Sequence, residues 1–192
     1  LDQVPVAGER LKRPIVDYST KLEKTDRHLK RAEAQALAIL SDAEMEKLEH
    51  TALLVNDFLN HRADEIGLVH ADGKIECVFS PTRELLVADT FGTMDEDRFL
   101  FDGVHLSKQV LRDYYVLTVW ADAVEKKEAG LPYRLSPPQK LPARLLNIVS
   151  RMYQSVCQDW VGQKIWPEVP AVESVVADYR AFVDDLNSGR IK

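Results

Sequence analysis

Glu76 and Asp89 are the side chains from which a chemistry can first be built. Glu76 lies in the run HADGKIECVF and Asp89 in ELLVADTFGT. Both runs have the composition of strands, and Pro81-Thr82-Arg83-Glu84 reads as the turn between them. A hairpin closed over that turn pairs Ser80 with Leu85, Val78 with Val87, and Glu76 with Asp89. Carboxylates directly opposite on neighbouring strands destabilise a sheet, and a cation between them removes the repulsion. Mg²⁺ held by one or two carboxylates plus substrate phosphates has that form. Acidic residues on strands are most often simply solvent-facing. Here, however, Lys74 alternates onto the face of Glu76. The opposition requires an even number of turn residues, because a one-residue slip moves a side chain to the other face.

Three further groupings carry charge at useful spacing. Asp95 and Arg98 lie in TMDEDR. This is either a solvated turn or a loop that grips an anion by the guanidinium fork, with Asp95 accepting from hydroxyls. Ser107, Lys108 and Arg112 open a predicted helix. Two cations four residues apart repel slightly there, and the helix dipole disfavours them. A docked phosphate relieves both effects; simple solvation is the competing reading. Lys21, Glu23 and Asp26 in STKLEKTDRH follow a predicted strand. Lys21 could touch a nucleotide phosphate or a substrate carboxylate and Asp26 could orient an amine or hydroxyl; charged residues after a strand are also common without a ligand. The five histidines show no zinc spacing, and neither GxSxG nor HExxH occurs. Trp120, Trp160 and Trp166 read as core or interface anchors.

The elements that position these groups follow from periodicity. Residues 14–23 read as a strand and residues 31–40 as a short helix. Ser41 and Glu44 form a capping box, ahead of Met45, Leu48, Ala52, Val55, Leu59, Ala63 and Ile66 at helical spacing. Gly67 ends that helix. The hairpin follows, with Asp72-Gly73 as a tight-turn signal just before its first strand, and then residues 94–98 as a loop. A helix capped by Ser107 is predicted to run to Gly130. A Pro-rich linker covers 131–142, and two more helices follow. The first carries Leu145, Val149, Met152, Val156 and Trp160; the second spans roughly 172–186. Strands early and helices late make the chain α+β.

Composition narrows the function classes. The chain has 192 residues, 45% hydrophobic and 29% charged, with a net charge of −6. These are the proportions of a soluble globular protein. No basic block tracks nucleic acid, no apolar run suits a bilayer, and no secretory signal is read at the start. Cys77 and Cys157 stand far apart and read as reduced thiols of a cytoplasmic protein. The first residue is Leu1 rather than Met, which reads as a fragment, a processed product or part of something longer.

The runs PIVDYSTKLEKTDRHL, GLVHADGKIECVF, ELLVADTFGTMDEDRF and GVHLSKQVLRDYY occur in an order that resembles the SAICAR synthetases (phosphoribosylaminoimidazole-succinocarboxamide synthases), in their longer form. The resemblance covers roughly residues 1–120. It rests on the combination of KIE, an Asp-led strand, a TxDxxR loop and SKxxxR. It implies an ATP-grasp-related α+β fold, an antiparallel sheet with flanking helices. Residues 1–130 would form the C-terminal catalytic lobe, and 131–192 a linker and helical extension packing on it or on a partner subunit. It also implies ATP-dependent ligation of L-aspartate to carboxyaminoimidazole ribonucleotide (CAIR) with Mg²⁺, giving SAICAR, ADP and phosphate through an acyl phosphate.

Position by position, the resemblance makes Glu76 and Asp89 the metal-binding acids. It puts Asp72 and Lys74 near CAIR and its reacting carboxylate, Asp95 and Arg98 on the CAIR loop with Arg98 at the phosphate, and Lys108 and Arg112, beside Ser107, on the following helix. Lys21 and Asp26 fall on the nucleotide side. Lys74, Asp95 and Arg98 are the expected catalytic residues. Met94 and Thr90 depart from the Pro and Glu of many members. The eight glycines are scattered, so the family's glycine-rich N-terminal lobe over ATP is expected to be a missing partner of these residues. A homo-oligomer built through 131–192 is a further expectation. Two competing readings stand beside the ligase: a related ligase with another carboxylate substrate, and a non-catalytic ligand-binding module.

Overall fold

The computed structural model describes residues 6, 8–24, 26–134 and 136–190. Residues 1–5 and 7 of the opening segment lie outside the described residues. In chain order the elements are β1 (Tyr18–Ser19), β2 (His28–Leu29), α1 (Arg31–Ala38), α2 (Asp42–Glu65), β3 (Val69–Asp72), β4 (Cys77–Phe79), β5 (Leu85–Val87), β6 (Arg98–Phe101), β7 (Val104–His105), α3 (Gln109–Val116), α4 (Val119–Glu128), α5 (Ala143–Val161) and α6 (Val172–Asn187). Short antiparallel sheets mixed with helices bear out the α+β expectation. The chain divides into two compact units, Leu1–Leu59 with Ile75–Asp89, and Asn60–Lys74 with Thr90–Lys192.

In the first unit, β1 pairs antiparallel with β2, Tyr18 opposite Leu29 and Ser19 opposite His28. Thr20 closes the loop between them. Its N–H donates to the Arg27 carbonyl at 3.0 Å, and its hydroxyl accepts from the Arg27 N–H at 3.1 Å. The predicted strand over 14–23 is therefore only two residues long; the chain turns at Thr20 to pair with a strand the periodicity did not show. The capping box forms as expected. Ser41 N–H donates to Glu44 at 2.8 Å, and Glu44 N–H donates to the Ser41 hydroxyl at 3.3 Å. These bonds satisfy donors that every helix start leaves without intrahelical partners.

Arg83 adds an ion pair to Glu44 at 2.6 Å. That guanidinium, with the Ser41 bonds, holds the Glu44 carboxyl down to about 2. A carboxyl lowered on folding contributes stability that is full above its ordinary range and is lost as pH falls toward the folded value. The melting-temperature advantage of the native protein over Glu44→Gln should therefore be present at neutral pH and close toward about pH 2. A gap that stays constant in thermal melts down the acid range would assign the effect to packing instead.

The hairpin register differs from the expected one. Cys77 lies opposite Val87, Val78 opposite Leu86 and Phe79 opposite Leu85. The turn holds three residues rather than four, because Arg83 N–H donates to Ser80 O and Ser80 N–H to Glu84 O, both at 2.9 Å. Arg83 takes the left-handed conformation, φ 65°, as the last residue of a three-residue hairpin loop does. Glu76 therefore faces Ala88, whose N–H donates to its carbonyl at 2.8 Å, and not Asp89. The expected strand over 70–79 is also two strands: β3 pairs with β6 while β4 pairs with β5. Asp72 thus ends β3 and Gly73 follows it, with three residues between Gly73 and the start of β4.

The second unit is built on the sheet β3-β6-β7. Asp102 and Gly103, at φ 48° and 75°, make the two-residue turn joining β6 to β7; both positions need positive φ, which suits Asp-Gly. The helix expected from Ser107 to Gly130 is broken. Leu117 ends α3, and Thr118, extended at φ −110° and ψ 156°, precedes α4. The Thr118 hydroxyl donates back to the Tyr115 carbonyl at 2.7 Å, which competes with continuing the helix. Of the expected stripe of α5, Leu145, Met152 and Val156 are buried in the core, while Val149 and Trp160 are partly buried against it; Ile148, outside that stripe, is buried as well. These α5 side chains share a core with Phe99, Leu106, Val110 and Tyr114, and with Val172, Val175, Val176 and Phe182 of α6. Arg62 donates to the terminal carbonyls of α5, Trp160 at 3.0 Å and Asp159 at 2.9 Å. This satisfies acceptors the helix end cannot pair internally.

Candidate functional site

In the second unit, the site-bearing residues come from the end of β3 and from the loop that leads into β6. Between His70 and Asp72 the ladder slips by one residue, so that His70 faces Phe99 while Asp72 faces Arg98. Such a bulge re-aims a side chain; here it sets the Asp72 carboxylate against the Arg98 guanidinium. Arg98 Nε donates to Asp72 Oδ1 at 2.6 Å, and Nη2 donates to Oδ2. The fork is bidentate and exposed on both partners, and Asp72 pushes the arginine's pKa up through these bonds. A guanidinium has five N–H donors, so the fork spends part of its capacity on Asp72 and keeps its charge.

Lys74 lies 3.5 Å from Glu96. Asp95 is exposed and accepts from the Tyr153 hydroxyl of α5 at 3.0 Å. Burial, and then the Asp95 carboxylate, push the Tyr153 phenol up, so it donates at any ordinary pH. The loop is tied to the start of α3, where Lys108 N–H donates to the Met94 carbonyl at 3.4 Å. Ser107 is buried, and its hydroxyl accepts from Gln109 N–H at 3.4 Å. Arg112 is exposed one turn along. Asp72, Lys74, Asp95 and Arg98 thus share one sheet end and its loop, with Lys108 joined to that loop by its backbone.

In the first unit, Lys21, Glu76 and Asp89 come together. The Lys21 ammonium contacts Glu76 and lies 3.8 Å from Asp89. The two carboxylates converge on one cation even though they are not opposite in the hairpin, because the chain bends at Asp89 after β5 ends. Asp26 is exposed in the same loop as Lys21. Among the described residues no group of three or more His, Cys, Asp or Glu could hold a metal. A pair of carboxylates around one cation position suits Mg²⁺ that takes its other ligands from phosphates and water, so the donor set fits that ion better than one needing a full protein cage.

A family model described as SAICAR synthetase matches residues 3–127. This chain belongs to the SAICAR synthetase family. It is 39% identical over 180 residues to a protein of Archaeoglobus fulgidus named "Putative phosphoribosylaminoimidazole-succinocarboxamide synthase", covering 93% of this chain and 54% of that one. It is 37% identical over 172 residues to the phosphoribosylaminoimidazole-succinocarboxamide synthase of Thermoplasma acidophilum, covering 85% of this chain and 58% of that one. The chain therefore spans little more than half the length of the curated relatives it matches. The fold is shared with a SAICAR synthetase solved in complex with ADP (TM-score 0.57, 22% identity, 81% of this chain and 54% of that one). It is shared equally with the enzyme of Pyrococcus horikoshii OT3 (TM-score 0.58, 21% identity, 81% and 55%).

In this member of the family, the sequence did not show how four residues around the loop come together. Tyr153 lies beyond the matched span, on a helix read only as core. His70 and Asp97 are buried and hydrogen-bonded at 2.9 Å. Gly73 stands where a Cβ would lie 1.7 Å from Asp97 Oδ1. A lone glycine after an aspartate gives a turn signal, but nothing in the sequence tells that a carboxylate sits against it.

Proposed function

We propose that the protein containing this chain joins L-aspartate to CAIR with ATP, giving SAICAR, ADP and phosphate in purine biosynthesis. Membership of the SAICAR synthetase family carries this reading. The carboxylate of CAIR is a poor electrophile. Transfer of the γ-phosphoryl group to a carboxylate oxygen releases ADP and gives an acyl phosphate. The amine of aspartate then attacks the carbonyl carbon, phosphate leaves with its bonding electron pair, and the nitrogen loses a proton. Positioning and charge compensation are the main contributions such a step needs from a protein.

The two faces divide that work. In the second unit, Arg98 holds the CAIR phosphate, Asp72 keeps the guanidinium aligned, Lys74 stands by the carboxylate, and Asp95 accepts from hydroxyls or the incoming amine. Lys108 and Arg112 add positive charge on the helix after the loop, beside Ser107. In the first unit, Lys21 and Asp26 serve the nucleotide, and Glu76 and Asp89 would hold Mg²⁺, which when bound neutralises phosphate charge. The expected partner is a further lobe over the nucleotide. Leu54 and Phe58 of α2 and Val78 and Leu86 of the hairpin, all in the first unit, are each about half exposed (49–59%), apolar side chains that such a lobe would have available to cover. No helix among the described residues is long and apolar enough to cross a membrane, and a cytoplasmic location suits the substrates.

The test is ADP release by the full-length protein with Mg-ATP, CAIR and L-aspartate, omitting one component at a time. Release should need all three. Silence with all three, while CAIR still binds, would replace the ligase with a binding module, and turnover with another carboxylate would reassign the substrate. Tyr153→Phe removes the donor to Asp95. A hydrogen bond to a charged group contributes about 1.5–3 kcal/mol, less where exposed, so CAIR affinity should fall by roughly three- to tenfold in calorimetric titration. Unchanged affinity would detach Asp95 from the substrate.

A further inference from the structure

The best-buried polar pair in the second unit belongs to no assigned role. His70 and Asp97 have side-chain exposures of 3% and 1%. His70 Nε2 lies 2.9 Å from Asp97 Oδ1, and Gly92 N–H donates to Asp97 Oδ2 at 2.6 Å. His70 Nδ1 is buried with no hydrogen-bond partner. Nε2 therefore carries the proton that Asp97 accepts, since a donor at Nδ1 would go unpaired. The Phe99 ring, 5.3 Å from the imidazole, covers the pair from the core side.

We propose that the His70–Asp97 couple positions the anion-binding face, and so sets the affinity for the phosphate-bearing substrate. This rests on the CAIR reading above. His70 is two residues before Asp72, across the bulge, and Asp97 immediately precedes Arg98. One carboxylate thus fastens three pieces of backbone: the end of β3 through His70, the start of the loop through Gly92, and the first residue of β6 through its own chain. Gly73 lies against it with no room for a methyl group, since a Cβ there would fall 1.7 Å from Asp97 Oδ1. Because Asp72 and Arg98 sit on the two pieces so joined, movement of the couple shifts the guanidinium relative to its carboxylate guide. A displacement of about 1 Å at a binding geometry can change a rate about a hundredfold. Removing one partner leaves the other buried and uncompensated. His70 and Asp97 are positioning residues: neither reaches the surface where a substrate would lie.

The experiment uses the full-length protein and three variants: His70→Leu, which deletes the donor; Gly73→Ala, which displaces the Asp97 carboxylate without removing any polar group; and His70→Gln, which restores an N–H donor near Nε2. Dissociation constants for CAIR and for Mg-ATP are measured separately, and hydrogen exchange is followed at residues 90–98. His70→Leu and Gly73→Ala should weaken CAIR binding about tenfold or more, with Mg-ATP affinity within about twofold and faster exchange at Gly92. His70→Gln should keep most of the CAIR affinity and of the Gly92 protection that His70→Leu loses. Equal losses of CAIR and Mg-ATP affinity, or unchanged CAIR affinity in folded Gly73→Ala, would overturn the proposal. Should the unmodified protein itself fail to bind CAIR, the functional reading falls. Exchange alone then decides the couple: unaltered protection at Gly92 in His70→Leu and Gly73→Ala refutes it.

Discussion

Replacing Arg98 by methionine should weaken CAIR binding about a hundredfold or more, because a bidentate grip on phosphate makes two charge-assisted hydrogen bonds of ~1.5–3 kcal/mol each. The loss has a second part. Asp72 now pairs with that guanidinium through both oxygens. Without it, a bare carboxylate faces the incoming phosphate and repels it. Arg98→Lys should recover only part of the affinity, since an ammonium is a point charge without the planar fork. The control is the CAIR nucleoside, which lacks the phosphate. Calorimetric titration should find its weak binding nearly unaffected by Arg98→Met. If nucleotide and nucleoside lose affinity in equal proportion, Arg98 does not serve the phosphate.

Much of this face was legible because its chemistry sits in short local runs. Asp95 and Arg98 are three apart in one loop, and Lys108 and Arg112 lie on one helix turn; spacing alone groups them. The long-range relations were not legible. His70 and Asp97 are 27 residues apart and meet only through the antiparallel pairing of β3 with β6, plus a bulge that no residue type announces. The hairpin register failed for a smaller reason. It turned on Arg83 adopting positive φ, which for a non-glycine residue is uncommon and costs free energy, so a four-residue turn was the reasonable expectation. The β6–β7 hairpin did carry a signal, Asp102-Gly103 between apolar residues, and could have been found. Helices α5 and α6 were the most readable, because a buried stripe such as Leu145, Met152 and Val156 shows itself at helical period. The break at Leu117–Thr118 was hidden by the same strength, since apolar residues continue through it.

Glu76→Gln should weaken Mg-ATP binding at least about tenfold, the scale on which even indirect supporters of a metal ion matter, and leave CAIR affinity nearly unchanged. The observed register, in which Glu76 and Asp89 are not opposite each other across the hairpin, sharpens this prediction. Had the carboxylates been forced together by strand pairing, a cation would be needed merely to relieve the sheet, and neutralising Glu76 would raise stability and little else. Instead they meet because the chain bends at Asp89, and Lys21 already supplies the compensating charge. The pair is therefore tolerated without a metal, and its convergence on one cation position calls for another purpose. Lys21 also competes for that position. Lys21→Met should bind Mg²⁺ alone more tightly while binding ATP less tightly, since the ammonium is lost to the phosphates. Titrating the metal and the nucleotide separately distinguishes these effects. Parallel losses of Mg-ATP and CAIR affinity in Glu76→Gln would remove the metal assignment. Weaker binding of bare Mg²⁺ in Lys21→Met would show that the lysine organises the carboxylates rather than competing for them.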